Sequence, residues 1–156
     1  KKMGLDLTHG AWNGSYSAFG RWRIEIARVA GLPPLDLMEG FYEDKGSYSP
    51  FALLDFAYPK GDELEMGALR RIRAQLPIKW ESLKPNALHI LISHSDCDGY
   101  INWRDCKKIA DELTKLLDKL SDENVGGHIG NYKDKTKTFI EGLMNAYNKK
   151  EKLLFR

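Results

Sequence analysis

The stretch His94 to Asp105, HSDCDGYINWRD, decides how the second half of the chain is read. Asp96-Cys97-Asp98-Gly99 is a turn signature: short polar side chains bend the chain, and glycine takes a conformation that other residues avoid. Asn102 stands where a helix N-cap is favoured. Asp105, three residues on, faces the positive end of the helix that would follow. That helix is written in the next residues, where Ile109, Leu113, Leu116, Leu117 and Leu120 recur as one apolar stripe. A turn and a cap therefore account for Asp98, Gly99, Asn102 and Asp105 with no metal.

The same stretch resembles an EF-hand loop, in which positions 1, 3, 5, 7, 9 and 12 supply oxygen ligands to calcium and position 6 is glycine. With Gly99 at position 6, Asp96 stands at 3 and Asp98 at 5. Tyr100 offers its carbonyl at 7, aliphatic Ile101 falls at 8, Asn102 at 9 and Asp105 at 12. The resemblance implies a calcium site built from Asp96, Asp98, Asn102 and Asp105. Two positions depart from it. His94 offers nitrogen at position 1, where a hard ion takes a carboxylate, and Asp105 is one methylene shorter than the glutamate that reaches bidentately. A transition-metal site using His94 with Cys97 has no recognisable ligand spacing. We therefore expect first a tight turn and helix cap that aims His94 and Asp96 at a pocket, with calcium as the alternative.

Upstream, residues 86 to 93 are apolar and stay open between a buried strand and a short helix. At the N-terminus, Leu5-Asp6-Leu7 reads as a short strand. Ser15 can cap a helix in which Phe19, Trp22, Ile26 and Ala30 share a face, and Gly31 before Pro33-Pro34 ends it. Residues 33 to 60 read as an irregular but packed excursion, rich in Leu and Phe. A second helix is predicted over about 62 to 75, with Met66, Leu69, Ile72 and Leu76 on one face and Pro77 as its stop. The final helix covers about 132 to 148, and Leu153-Leu154-Phe155 is a terminal strand that could pair with Leu5-Asp6-Leu7. The expected fold is α+β, mainly α. It is a single compact domain of about four helices over residues 1–156, with a small sheet from the short N- and C-terminal strands.

Apolar residues make up 42% and charged residues 29% of the 156, the balance of a globular chain rather than a disordered one. Against 24 Lys and Arg stand 22 Asp and Glu, so no strong field argues for a nucleic-acid duplex as partner. Cys97 and Cys106 are too few for a disulfide framework and suit a reducing compartment. No apolar run reaches the length of a membrane span, and the opening residues lack a signal-peptide core. The bacterial cytoplasm is the expected location, with no membrane partner.

His9 to Arg23, HGAWNGSYSAFGRWR, gathers four aromatics, three glycines and two arginines within 15 residues. Aromatic faces stack on bases, glycines let amides approach phosphate, and arginine pairs with phosphate bidentately. Phe19 and Trp22, at helical spacing, are assigned inward. Trp12, Asn13 and Tyr16 lie at the helix start, where anions are favoured. With His9, Arg21, Arg23, His94, Asp96 and His128 they form the candidate ligand set. Arg70, Arg71 and Arg73 read as a solvated basic face. Gly126-Gly127-His128 could cradle a phosphate, although no Walker or dinucleotide glycine motif is present. His89, in an apolar run, reads as buried and hydrogen-bonded.

Catalytic motifs are absent from the sequence: there is no HExxH, no GxSxG and no CxxC. Across most of its length the chain resembles a family of small proteins of phages, prophages and bacteria. The resemblance is carried by Met3-Gly4-Leu5-Asp6, His9-Gly10-Ala11-Trp12, Ser15-Tyr16-Ser17-Ala18-Phe19, His94 to Gly99, Gly127-His128-Ile129 and Tyr132 to Phe139. It implies a context rather than a reaction, that of a cytosolic accessory factor acting against host defence. The expected function is non-catalytic binding of a small nucleotide-like ligand, an immune signal held rather than turned over. No cofactor is required for this, and a homo-oligomer could build the site between chains. The alternatives are a metal-dependent protein, either a calcium-stabilised module or a phosphoester hydrolase, and an inhibitor that contacts a host protein through residues 35 to 58.

Overall fold

The computed structural model describes residues 4–42, 76–127 and 129–156. Four α-helices dominate these residues, and two short antiparallel strand pairs complete a mainly α, α+β architecture. Two compact units are present: Lys1–Ala30 together with Asn86–Arg156, and Gly31–Pro85. No helix among the described residues is long and apolar enough to cross a membrane.

In the larger unit, β1 (Leu5–Asp6) pairs with β2 (Asn13–Gly14), Leu5 opposite Gly14 and Asp6 opposite Asn13. The connection carries a 3-10 turn at Thr8–Gly10. Helix α1 spans Tyr16–Val29, and the Ser15 hydroxyl accepts from the Ala18 N–H at 3.1 Å, the cap expected from the sequence. Ala18, Phe19, Trp22, Arg23, Ile26 and Ala27 form its buried face. Gly31, at φ 77, takes the left-handed conformation that stops a helix.

Residues Leu88–Ile92 are helical (α2), which closes the strand-or-helix question. Leu88, Leu91 and Ile92 are buried at i, i+3 and i+4, a helical period that so short an apolar run cannot advertise. Strand β3 (Tyr100–Ile101) and helix α3 (Trp103–Leu116) follow. Helix α4 spans Tyr132–Lys149 and packs along α3. Its start is held by Asn131, whose Oδ1 accepts from the Asp134 N–H at 2.7 Å.

The terminal strand β4 (Leu153–Leu154) pairs with β3, Tyr100 opposite Leu154 and Ile101 opposite Leu153. Its expected pairing with the N-terminal segment occurs one step further on. Leu7 bridges Phe155, and Asp6 and Arg156 exchange backbone bonds of 2.8 and 3.2 Å. The chain end therefore joins the first strand to the loop that opened the sequence reading.

An aromatic cluster fills the core. Trp22 stacks on Phe139 at 4.6 Å between ring centroids, Trp12 meets Phe19 edge-on at 5.2 Å, and Phe19 meets Phe155 at 6.2 Å. Phe19 and Trp22 face inward as their spacing requires. The one polar atom of Trp22 is satisfied there: Nε1 donates to Thr136 Oγ1 at 2.9 Å, and Thr136 donates to the Tyr132 carbonyl at 2.7 Å. Where α4 crosses the Thr8–Gly10 turn, Gly142 lies so close to Ala11 that a Cβ would run into the Ala11 backbone.

In the smaller unit, Leu35–Leu37 and Trp80–Ser82 form 3-10 turns. Met38 and Ile78 make a parallel bridge, and Trp80 Nε1 donates to the Glu39 carbonyl at 3.1 Å. The Leu76–Pro77 bond is cis. The helix predicted over 62 to 75, with Arg70, Arg71 and Arg73, lies outside the described residues, as does most of 33 to 60.

Candidate functional site

The loop from His94 to Asp105 has the outline of an EF-hand. Helix α2 enters it, Gly99 turns it at φ 86, and β3 carries positions 7 and 8. Helix α3 leaves it, capped by Asn102, whose Oδ1 accepts from the Arg104 N–H at 3.1 Å. Asp105 stands in the first turn of α3, as a residue at position 12 would.

Inside this outline lies the His94 ring. Its Nδ1 is 2.8 Å from the Ser95 carbonyl and its Nε2 is 3.0 Å from the Tyr100 carbonyl. The opposing atoms are both carbonyl oxygens, which only accept, so the neutral ring donates its single N–H to one of them and only the imidazolium donates to both. Phe155 stacks against the imidazole at 4.0 Å and 18°. A Cβ on Gly99 would come within 3.3 Å of His94 Cε1, so the glycine serves both the turn and the ring. The position-7 carbonyl of a calcium loop here faces an imidazole nitrogen. Among the described residues, no group of three or more His, Cys, Asp or Glu side chains is arranged to hold a metal ion. At the first ligand position stands an imidazole nitrogen where calcium takes a carboxylate.

Arg23 supports the loop from below. It is 5% exposed, and its Nη1 donates to the carbonyls of Ile92 at 3.0 Å and His94 at 2.5 Å, with Leu91 at 3.5 Å. These are carbonyls at and just past the end of α2; that of Leu91 also accepts from the His94 N–H at 3.3 Å. The guanidinium also lies 4.6 Å over the Phe19 ring. Burial lowers its pKa, and the charge of Asp96 opposes that shift. Asp96 thus acts electrostatically on Arg23, within a polar assembly of Arg23, His94 and Asp96 that belongs to the fold.

The remaining candidates divide. Trp12 is 1% exposed, inside the aromatic cluster, because the Leu7 N–H bonds to the Trp12 carbonyl at 2.9 Å and folds the hairpin inward. Its ring face is covered by Lys135, whose Nζ lies 4.3 Å above it and 3.5 Å from the Asn13 carbonyl. Burial lowers the Lys135 pKa. His9 adopts φ 62, unusual for a residue with a Cβ, and its Nε2 meets Glu151 Oε1 at 3.0 Å while Nδ1 meets Thr8 Oγ1 at 2.9 Å. Thr8 Oγ1 in turn accepts from the Leu154 N–H at 2.9 Å. His9 therefore fastens the N-terminal turn to the C-terminal segment.

Three candidates stand on the surface: Asn13, Tyr16 and Arg21. Arg21 Nη2 lies 3.7 Å from the position a Cβ would take on Gly127. The Gly126–Gly130 loop is closed by the Val125 N–H on the Gly130 carbonyl at 2.6 Å and leads into α4, where Lys135 stands beside Asn13. His128 lies outside the described residues. Arg21 and Lys135 were not equally legible. The arginine follows from its aromatic, glycine-rich context, whereas Lys135 has no signal beyond its place in the first turn of α4.

A depression of about 380 Å³ in the smaller unit is lined, among the described residues, by Pro77, Ile78, Lys79 and Ser82, none of them a candidate residue. Comparison with family models, with curated proteins and with solved structures finds no match to the chain.

Proposed function

We propose that the chain is a non-catalytic binding protein for a small phosphate-bearing, nucleotide-like ligand, with Arg21 beside Gly127 as its phosphate contact and Asn13 and Tyr16 as further surface candidates. The observation that supports this reading is the approach of Arg21 to Gly127. It sets an exposed guanidinium, suited to phosphate, beside a glycine at φ 61. Tyr16, 38% exposed, offers an aromatic face near the start of the same helix, and Lys135 adds a second cation. The resemblance to phage and prophage proteins adds context: a cytoplasmic protein that withholds a nucleotide-derived immune signal from its receptor. Affinity and slow release would do the work of turnover, and a homo-oligomer would enlarge the contact.

Incubating the purified protein with cyclic di- and oligonucleotides, re-isolating it and denaturing it tests this directly. Stoichiometric recovery of an intact nucleotide is the expected outcome. Conversion of the nucleotide favours a hydrolase instead, and no retention of any candidate contradicts the reading. Arg21→Ala is expected to weaken retention about tenfold or more while leaving the melting temperature unchanged.

A further inference from the structure

We infer that His94 takes the place of the ion in an EF-hand frame, so that the 94–105 loop is closed by its own imidazole and needs no calcium. Three independent features of the loop converge on this. The frame is complete in order: entering helix α2, glycine at φ 86, strand β3, capped exit helix α3. In such a frame calcium joins the start of the loop to the position-7 carbonyl. Here the position-1 side chain makes that junction itself, through Nε2 to the Tyr100 carbonyl at 3.0 Å, while Nδ1 reaches the Ser95 carbonyl at 2.8 Å.

The ring is also held as a built part. Phe155 covers one face at 4.0 Å, Gly99 leaves the space that a Cβ would narrow to 3.3 Å, and Arg23 grips the His94 carbonyl at 2.5 Å. Phe155 reaches the ring because its N–H bonds to the Gly99 carbonyl at 3.0 Å, continuing the β3–β4 ladder. Closure of the loop and docking of the chain end are therefore one event. Asp96, freed from ligation, acts on buried Arg23, which supplies positive charge from beneath the loop. The consequence is a loop fixed in one state, a platform rather than a calcium sensor. This inference is independent of the proposed ligand.

The test compares the wild-type chain with His94→Asp, which restores a position-1 carboxylate and removes the ring. Wild type is expected to melt at the same temperature in millimolar calcium and in chelator, and to give no sensitised terbium emission from Tyr100 and Trp103. His94→Asp is expected to melt about 4 °C or more lower in chelator, to recover with calcium, and to gain terbium emission. A variant that folds only when calcium is added gives the same answer. Calcium stabilisation of the wild type, or wild-type terbium emission saturating at one ion per chain, overturns the inference. So does a His94→Asp chain that loses no stability, or one that calcium cannot restore; the wild-type arm reads out even if the variant fails to fold.

Discussion

His94 Nε2 lies 3.0 Å from the carbonyl oxygen of Tyr100, six residues along the chain. That short bridge turns a segment with the outline of a metal site into a fixed corner. On one side it meets the C-terminal strand through Phe155, and on the other it meets α1 through Arg23. His94 and Arg23 make these contacts within the fold, and the proposed ligand contact is the surface around Arg21.

Arg23 and Arg21 are two residues apart and separate experimentally. Arg23→Met leaves the carbonyls of Ile92 and His94 without their donor and is expected to cost about 3 kcal/mol in denaturant unfolding, with ligand retention intact in the folded fraction. Arg23→Lys recovers only part, because an ammonium does not reproduce the planar fork. An Arg23 variant that folds normally and loses ligand would reverse these assignments.

Two glycines respond oppositely to alanine. At Gly142 the new methyl meets the Ala11 backbone, which cannot move aside, and a loss of about 2 kcal/mol is expected. At Gly20, within α1, nothing lies within 4 Å of the new Cβ. Gly20→Ala should be neutral or stabilise by up to about 1 kcal/mol through the unfolded chain. Melting curves of the two variants check both signs.

The two cysteines differ in reactivity. Cys97 is exposed, whereas Cys106 is buried in α3 and its thiol is pushed up to about 12, by desolvation first and by the charge of Asp105 second. Alkylation of the native protein at pH 8 is expected to label Cys97 within minutes and to spare Cys106 until denaturant is added. Mass mapping of the labelled peptides reads this out, and equal labelling of both would contradict the packing of α3.

His89 sets an acid limit on stability. Burial depresses its pKa below the ordinary 6.5, so between that value and its folded value the unfolded chain binds the extra proton. Stability is therefore expected to hold above pH 7 and to fall as the pH drops through that window. His89→Gln removes the group, and its unfolding free energy should depend less steeply on pH between 7 and 5. An unchanged slope would assign the acid sensitivity to other groups.

The long helices were legible because caps and stripes agree: Ser15 with Phe19 and Trp22, and Asn102 with Ile109 and Leu113. Helix α2 was not, since five apolar residues carry no period. Trp12, placed before a helix and among glycines, read as a ligand candidate, yet the β1–β2 hairpin turns it into the core. The inward course of Arg23 had a signal, because it stands four residues after Phe19 and three before Ile26 on the buried stripe. His94 stood out as a departure from a calcium loop. What it replaces could not be read, because a backbone carbonyl such as that of Tyr100 leaves no mark in the sequence.

The nitrogen-15 spectrum of the His94 ring in the wild-type protein, recorded with calcium and with chelator, reads the closure of the loop at its own atoms. A protonated Nε2 whose proton is protected from exchange is expected, with Gly99, Tyr100 and Asp105 amide signals that calcium leaves in place. A bare Nε2, or calcium-dependent movement of those three signals, would contradict it.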